Sequence, residues 1–317
     1  MGCEPMIIAS QLPAAIHDEV TRQVPEVRLI AVPAGIPEHL PREATAFFAV
    51  PYRGGPCCEQ DSLSATWIGH INWIQLCSAG VDGYPPWYFN APLVTSTRGP
   101  AAQPVAEYVL AATFAHAKRI PDIWIRDRAD WASKPLASVH GSTMGIVGYG
   151  AIGQAVAVLA QAVGMTVIVA RNRATGPEMP TVQFATLEEV VAASDHFVIA
   201  AAATPATHHL IGRDVLRRAK RGAHLINVAR GSLVDQDALR EALDDGSLAV
   251  ATLDVADPEP LPAGHWIYAH PRIRLSPHLS SHVPQLYPEL ARAFAANLRR
   301  YLEGAPLNNV VDNIRGY

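Results

Sequence analysis

The stretch from residue 143 to 173 constrains the fold of this 317-residue chain more than any other. It reads TMGIVGYGAIGQAVAVLAQAVGMTVIVARNR, in which an apolar run at 144–147 feeds directly into Gly148-Tyr149-Gly150-Ala151-Ile152-Gly153. An Ala/Val/Leu-rich helical segment follows, Gly164 stops it, and a second β-branched run at 166–169 ends at Arg171. Strand, glycine turn, helix and strand in that order give a G-x-G-x-x-G its meaning. Gly148 permits the tight turn, Gly150 lets the backbone approach a pyrophosphate, and Gly153 lets the helix close on the strand. The helix begins at Ala151 and Ile152, and its first turn presents free N–H groups and a positive dipole end to the phosphates. The pattern predicts dinucleotide binding.

The residue that closes the second strand bears on which dinucleotide fits. An Asp or Glu about 20 residues past the glycines would accept the ribose 2′-hydroxyl of NAD. Arg171 stands there instead, followed by Asn172 and Arg173, and no carboxylate appears until Glu178. The forked donors of a guanidinium match a phosphate. The segment therefore favours the 2′-phosphate of NADP, with NAD still possible. The competing reading is a pair of solvated arginines in an ordinary surface loop.

Length and composition bound the rest. The chain is long enough for two domains of ordinary size, and 49% of its residues are hydrophobic against 17% charged. A net charge of −4 gives no pull toward nucleic acid or an anionic membrane. No run approaches the ~20 apolar residues of a membrane span. The opening MGCEPMIIAS lacks a basic region followed by a long apolar core, and Met6 stands where a myristoylation signal wants Ser or Thr. Cys3, Cys57, Cys58 and Cys77 form no C-x-x-C and read as reduced thiols of a cytoplasmic protein.

Along the chain, strand-like and helix-like runs alternate. Before the glycine stretch, strands are expected at 6–10, 27–32, 44–50, 71–76 and 93–96, with helices at 14–24 and 105–118. After it, strands are expected at 196–201, 223–228, 250–255 and 273–276, separated by helices at 187–193, 213–220 and 237–244. A long amphipathic helix at 284–303 closes the pattern. Such alternation means an α/β fold with parallel sheets covered by helices on both faces. The helix at 105–118 is too apolar for a solvated surface, which points to a homodimer.

Three stretches place polar residues just beyond a strand's carboxyl end, the rim where open α/β sheets bind ligands. They are Asn227-Val228-Ala229-Arg230-Gly231, Asp254-Val255-Ala256-Asp257-Pro258-Glu259-Pro260, and Ser276-Pro277-His278-Leu279-Ser280-Ser281. Together they offer an arginine, a carboxylate and a histidine. Hydride transfer to a 2-keto acid needs that set: a cation to hold the carboxylate and polarise the carbonyl, and an acid to protonate the new alkoxide. Taken singly, each of the three reads as an ordinary surface or loop residue. His278 and His282 are four apart, but Ser276-Pro277 argues against a helix and no third ligand is evident, so no metal is expected.

These residues resemble the D-isomer-specific 2-hydroxyacid dehydrogenases across nearly the whole chain, through GYGAIG, TPATHHLIG, NVARGSLVDQDAL, LDVADPEPLP and SPHLS in that order. The resemblance implies that Arg230 binds the substrate carboxylate and carbonyl, that His278 is the general acid/base, and that Glu259 is its partner. It implies that Ala79 and Gly80 in CSAGVD cradle the carboxylate through backbone N–H groups. Thr204, Pro205, Val228 and Ala229 would border the cofactor, and Asp254 would lie near the nicotinamide amide. The implied fold is a Rossmann dinucleotide-binding domain, 99–283, inserted into a flavodoxin-like substrate domain built from 1–98 and 284–317. AAQPVAEYVLA and the arginine after the second strand look most like the glyoxylate/hydroxypyruvate reductases. Trp131 stands where several of those reductases place an aromatic near a dimer partner's substrate pocket. Tyr52 and Arg53 are candidates for shaping the pocket. The alternatives are a dinucleotide-sensing binding protein of the same fold, or a dehydrogenase for 3-phosphoglycerate, formate or phosphite.

Overall fold

Alternating β-branched and helical runs produce two parallel sheets in this computed structural model, which describes residues 5–52, 69–171 and 181–312. The chain divides into two units, Met1–Pro100 with Val283–Tyr317, and Ala101–His282.

The first unit carries strands β1 (Met6–Ser10), β2 (Val27–Ala31), β3 (Ala46–Ala49), β4 (Trp73–Leu76) and β5 (Val94–Thr95), in the order β2-β1-β3-β4-β5. Every pairing is parallel, and the order is the flavodoxin-like one. Central strands of a parallel sheet are covered on both faces, and every residue of β3 and β4 is buried. Helices Ala14–Gln23 and Leu286–Leu302 cover one face. Leu290, Ala291, Phe294, Ala295 and Leu298 form the buried stripe of the second helix, at the i, i+4, i+8 spacing that keeps side chains on one side. Phe294 stacks on Phe48 at 4.9 Å, and Phe48 meets Trp73 edge-on at 5.7 Å. Each such fully buried large side chain contributes about 1.5–3 kcal/mol of transfer free energy. Polar groups caught in this interior are paired: Trp73 Nε1 donates to Thr95 Oγ1 at 2.8 Å, and Asn297 Nδ2 donates to Gln75 Oε1 at 2.8 Å.

The second unit carries β6 (Thr143–Val147), β7 (Thr166–Ala170), β8 (Gln183–Phe184), β9 (His196–Ile199), β10 (Ala223–Asn227), β11 (Leu248–Leu253) and β12 (Ile273–Leu275). They lie in the order β12-β11-β10-β9-β6-β7-β8, all parallel. Counted from β6 this is the doubly wound order 3-2-1-4-5-6 with one strand added at the edge. The order reverses between β6 and β9, where such sheets bind ligands. Successive residues of a strand face opposite ways. Met144, Ile146, Val198 and Ile226 therefore pack under one face with helices Ala102–Ala117 and Ala151–Ala162. Phe197, Ile199, Leu225 and Leu253 pack under the other with helix Gln236–Asp244.

Helix Ala102–Ala117 spends its apolar residues inside its own unit: Val105, Ala106, Val109, Leu110 and Ala117 are all core. Its composition alone therefore does not demand a second copy of the chain. Exposed apolar surface lies further on, at Trp124 (68% exposed), Trp131 (82%) and Leu136. Among the described residues no helix is long and apolar enough to cross a membrane, and no group of three His, Cys, Asp or Glu could hold a metal ion.

Candidate functional site

The three glycines after β6 do three different things. Gly148 has φ +99°, and a Cβ there would sit 2.6 Å from the backbone nitrogen of Ala201. A Cβ on Gly153 would lie 2.2 Å from the Gly148 carbonyl oxygen. Both are fixed by the chain's own close approach. Gly150 meets nothing within 4 Å of a built Cβ, so its backbone faces open space. Gly150 also caps helix Ala151–Ala162, and no side chain caps that end. The first-turn N–H groups, those of Ala151 and Ile152 among them, are left for an anion. This cradle fits the pyrophosphate of a nicotinamide dinucleotide.

At the end of β7, the Arg171 guanidinium lies 3.8 Å from the Phe184 ring centroid, a cation–π contact. Phe184 in turn meets Tyr149 edge-on at 5.5 Å. Burial raises the Tyr149 hydroxyl above its ordinary pKa, partly opposed by Arg171. A cation, not a carboxylate, thus stands where the adenosine ribose would come. Asn172 and Arg173 lie outside the described residues, as do Arg53 and Cys57-Cys58. Thr204 and Pro205 open a one-turn 3-10 helix beyond β9, tied by Thr204 N donating to Thr207 Oγ1 at 2.8 Å.

Beyond β10, Val228 and Ala229 are buried and Arg230 is half-buried. The Asn227 side chain closes this turn, accepting from Ala229 N at 3.1 Å and donating to the Arg230 carbonyl at 2.8 Å. Sequence reasoning gave Asn227 no role. Its signal was there: an amide side chain at a strand end, the residue type that bonds the backbone two or three residues on. A Cβ on Gly231 would sit 2.0 Å from the Ala256 carbonyl carbon, so this turn is pressed against the one carrying Glu259.

Glu259 and His278 come together. His278 Nδ1 lies 2.9 Å from Glu259 Oε2, and Glu259 Oε1 accepts from Ala256 N at 2.9 Å. Burial alone would raise the Glu259 carboxyl. The hydrogen bonds from His278 and Ala256, with the charges of His278 and Arg230, outweigh it and hold the group below its ordinary pKa. Arg230 is thereby electrically part of the same site. Nδ1 is thus the ring nitrogen engaged by the carboxylate.

Asp254 lies under the loop that carries His278. It is 1% exposed, and both carboxylate oxygens are committed to the loop that carries His278. Oδ1 accepts from Ser276 Oγ at 2.6 Å and Leu279 N at 2.9 Å, and Oδ2 accepts from Ser280 N at 3.0 Å.

Ala79 and Gly80 belong to the first unit, in the turn after β4, where Ser78 Oγ donates to the Gly80 carbonyl at 2.7 Å. Tyr52 is in that unit also, its N–H donating to the Gly83 carbonyl at 2.8 Å. Cys77, the one cysteine among the described residues, accepts from the Tyr84 hydroxyl at 3.8 Å.

Residues 110–280 match the family described as D-isomer specific 2-hydroxyacid dehydrogenase, NAD binding domain. The glyoxylate reductase of Aeropyrum pernix is 34% identical over 232 residues, 69% of this chain and 69% of that protein. The glyoxylate/hydroxypyruvate reductase B of Pectobacterium atrosepticum is 36% identical over 220 residues, 66% of this chain and 68% of that protein. Among solved structures, the D-isomer specific 2-hydroxyacid dehydrogenase from Xanthobacter autotrophicus Py2, in complex with NADPH and MES, superposes with a TM-score of 0.83 at 27% identity. That match covers 99% of this chain and 100% of the other.

Proposed function

Since this chain belongs to the D-isomer-specific 2-hydroxyacid dehydrogenase family, we propose that it reduces a small 2-keto acid of the glyoxylate or hydroxypyruvate kind to the D-2-hydroxy acid, with NADPH preferred over NADH. The nicotinamide, when bound, supplies the hydride to the keto carbon. Everything else falls to the chain's own residues. Arg230 grips the substrate carboxylate and draws charge toward the carbonyl oxygen. His278, protonated, delivers its Nε2 proton to that oxygen as the alkoxide forms. Glu259 accepts from Nδ1 and so orients the ring with Nε2 toward the substrate.

The observation that carries this reading is the 2.9 Å contact of His278 with Glu259, whose carboxyl also feels the Arg230 charge. The relatives' names support the substrate class. The cofactor preference rests on Arg171, a cation that suits a 2′-phosphate and offers no acceptor to a 2′-hydroxyl. A homodimer goes with the reading, because Trp124 and Trp131 leave two large aromatic surfaces in water.

One set of measurements tests all of this. NADPH and NADH oxidation is followed with glyoxylate, hydroxypyruvate and bulkier 2-keto acids, for the parent and an Arg171→Ala variant. The parent should favour NADPH in kcat/KM by about tenfold or more, as expected for a charge-assisted hydrogen bond, and Arg171→Ala should lose most of that preference. Equal use of both cofactors by the parent would end the NADPH assignment. Binding of NADPH without turnover of any keto acid would mark a dinucleotide-sensing protein instead. A monomer mass by light scattering at micromolar concentration would rule out the dimer.

A further inference from the structure

Four hydrogen bonds from one five-residue loop end on Asp254. Its carboxylate accepts from Ser276 Oγ, Leu279 N and Ser280 N, and its carbonyl accepts from His278 N at 2.8 Å. The loop needs that much restraint. His278 has φ +55°, the left-handed region that a residue with a Cβ rarely adopts, and such a conformation persists only where the surroundings over-determine it.

Asp254 is not the end of the chain of bonds. Ser276 Oγ also lies 2.6 Å from the hydroxyl of Tyr108. Directions can be assigned. A backbone N–H can only donate and an ionised carboxylate can only accept, so Asp254 receives everything that reaches it. Ser276 has one proton and gives it to Asp254. Its lone pair must therefore accept from Tyr108. Burial raises the Tyr108 phenol above its ordinary pKa, as does the Asp254 charge, against the lowering effect of the Ser276 bond. Tyr108 thus keeps its proton and remains a donor. It sits on helix Ala102–Ala117 between Val105 and Val109, both core residues, so the hydroxyl is held on a rigid post.

We propose that Tyr108 is a positioning residue of the reaction: the relay Tyr108–Ser276–Asp254 holds the 276–280 loop in the one backbone path that seats the His278 ring on Glu259 and aims its other nitrogen at the substrate. This rests on the reading of His278 as the proton donor. It gives Asp254 and Tyr108, which touch neither substrate nor reacting atoms here, a role in turnover through His278.

Three variants test it: Tyr108→Phe, which removes only the hydroxyl; Ser276→Ala, which breaks the relay in the middle; and Ser276→Thr, which keeps it. Each is measured for kcat and KM with the keto acid, for NADPH affinity by nucleotide fluorescence, and for hydrogen exchange of the 276–282 amides. Tyr108→Phe should lower kcat about three- to tenfold, the range set by one neutral hydrogen bond, with KM and NADPH affinity within about twofold of the parent. Exchange at Leu279 and Ser280 should quicken. Ser276→Ala should lose more, and Ser276→Thr should recover most of that loss. The proposal is overturned if Tyr108→Phe changes neither kcat nor exchange, if the whole loss lies in KM or NADPH affinity, or if Thr and Ala at 276 behave alike. Should the parent reduce no keto acid, the functional reading fails on its own, and the exchange rates still decide whether the relay holds the loop.

Discussion

The second unit holds histidines in two settings that differ in everything except the side chain. His278 stands at the rim, its side chain 28% exposed, with a carboxylate on Nδ1 and an arginine nearby. His196 and His224 lie inside the sheet under helix Ala102–Ala117, their Nδ1 atoms 3.2 Å apart and His224 Nε2 2.8 Å from Thr252 Oγ1. The His116 ring packs over them, 4.8 Å from His224 and 5.8 Å from His196. Burial, then His116, pushes His196 down to about 4, although Asp195, which is paired with Lys220, pulls the other way. Burial, His116, His196 and Arg274 put His224 well below its ordinary value. Burial and Arg274 lower His116 as well. Burial and the neighbouring rings keep the interior group neutral at physiological pH, with one facing Nδ1 donating and the other accepting. A carboxylate on one ring nitrogen and partial exposure set the rim histidine apart, whereas the interior ones, bonded to each other and to Thr252, serve as polar packing groups.

The largest effect expected from breaking this contrast is on turnover. His278→Asn keeps a hydrogen-bonding side chain but has no proton to deliver, so kcat should fall about 10²–10⁴-fold while NADPH still binds. A variant within a few-fold of the parent would remove His278 from the chemistry.

The interior group should answer to pH through stability instead. Its folded-state pKa values lie below the unfolded value of 6.5, so below about pH 6.5 the unfolded chain binds protons that the folded one refuses. The stability is complete above 6.5 and is lost as pH falls toward 4. His196 alone accounts for up to about 3 kcal/mol at one pKa unit per 1.36 kcal/mol. Urea unfolding at pH 7, 5.5 and 4 measures it. His196→Asn should flatten the dependence, and a slope equal to the parent's would show that the cluster does not set acid stability.

The smallest effect is at the pair itself. Glu259→Gln exchanges the carboxylate bonded to His278 Nδ1 for a neutral amide, so kcat for reduction should fall about tenfold while NADPH still binds. An unchanged kcat would separate Glu259 from His278.

Much of this architecture was legible because it is local. The strand expected at 144–147 is Thr143–Val147, that at 166–169 is Thr166–Ala170, and the terminal helix expected at 284–303 is Leu286–Leu302. Period and glycine spacing are properties of a window. β8 escaped notice because Gln183 and Phe184 are both exposed and leave no apolar pattern. Helix Ala102–Ala117 read as a surface awaiting a partner, since composition does not say which neighbours cover an apolar helix. At the rim, resemblance drew attention to Arg230, Glu259 and His278, and the structure brings Glu259 and His278 into contact. It could not reveal the bonds of Asp254 to Ser276 and of Ser276 to Tyr108, nor the packing of His116 against His224. Those depend on strands and helices far apart in sequence meeting in space.

The first unit has a consequence for how the chain is made. Its described strands are all made by Thr95, but the helix whose Phe294 stacks on Phe48 follows the second unit. A ribosome must first translate the whole of the second unit, which at ~5–20 residues per second takes about 10–40 s. During that interval the nascent β3 and β4 carry Phe48 and Trp73 without their closing helix. The continuous second unit can reach its native state as it emerges, whereas the first must wait for its own C-terminal end. For as long as translation lasts, that uncovered aromatic face is where a chaperone has most to protect.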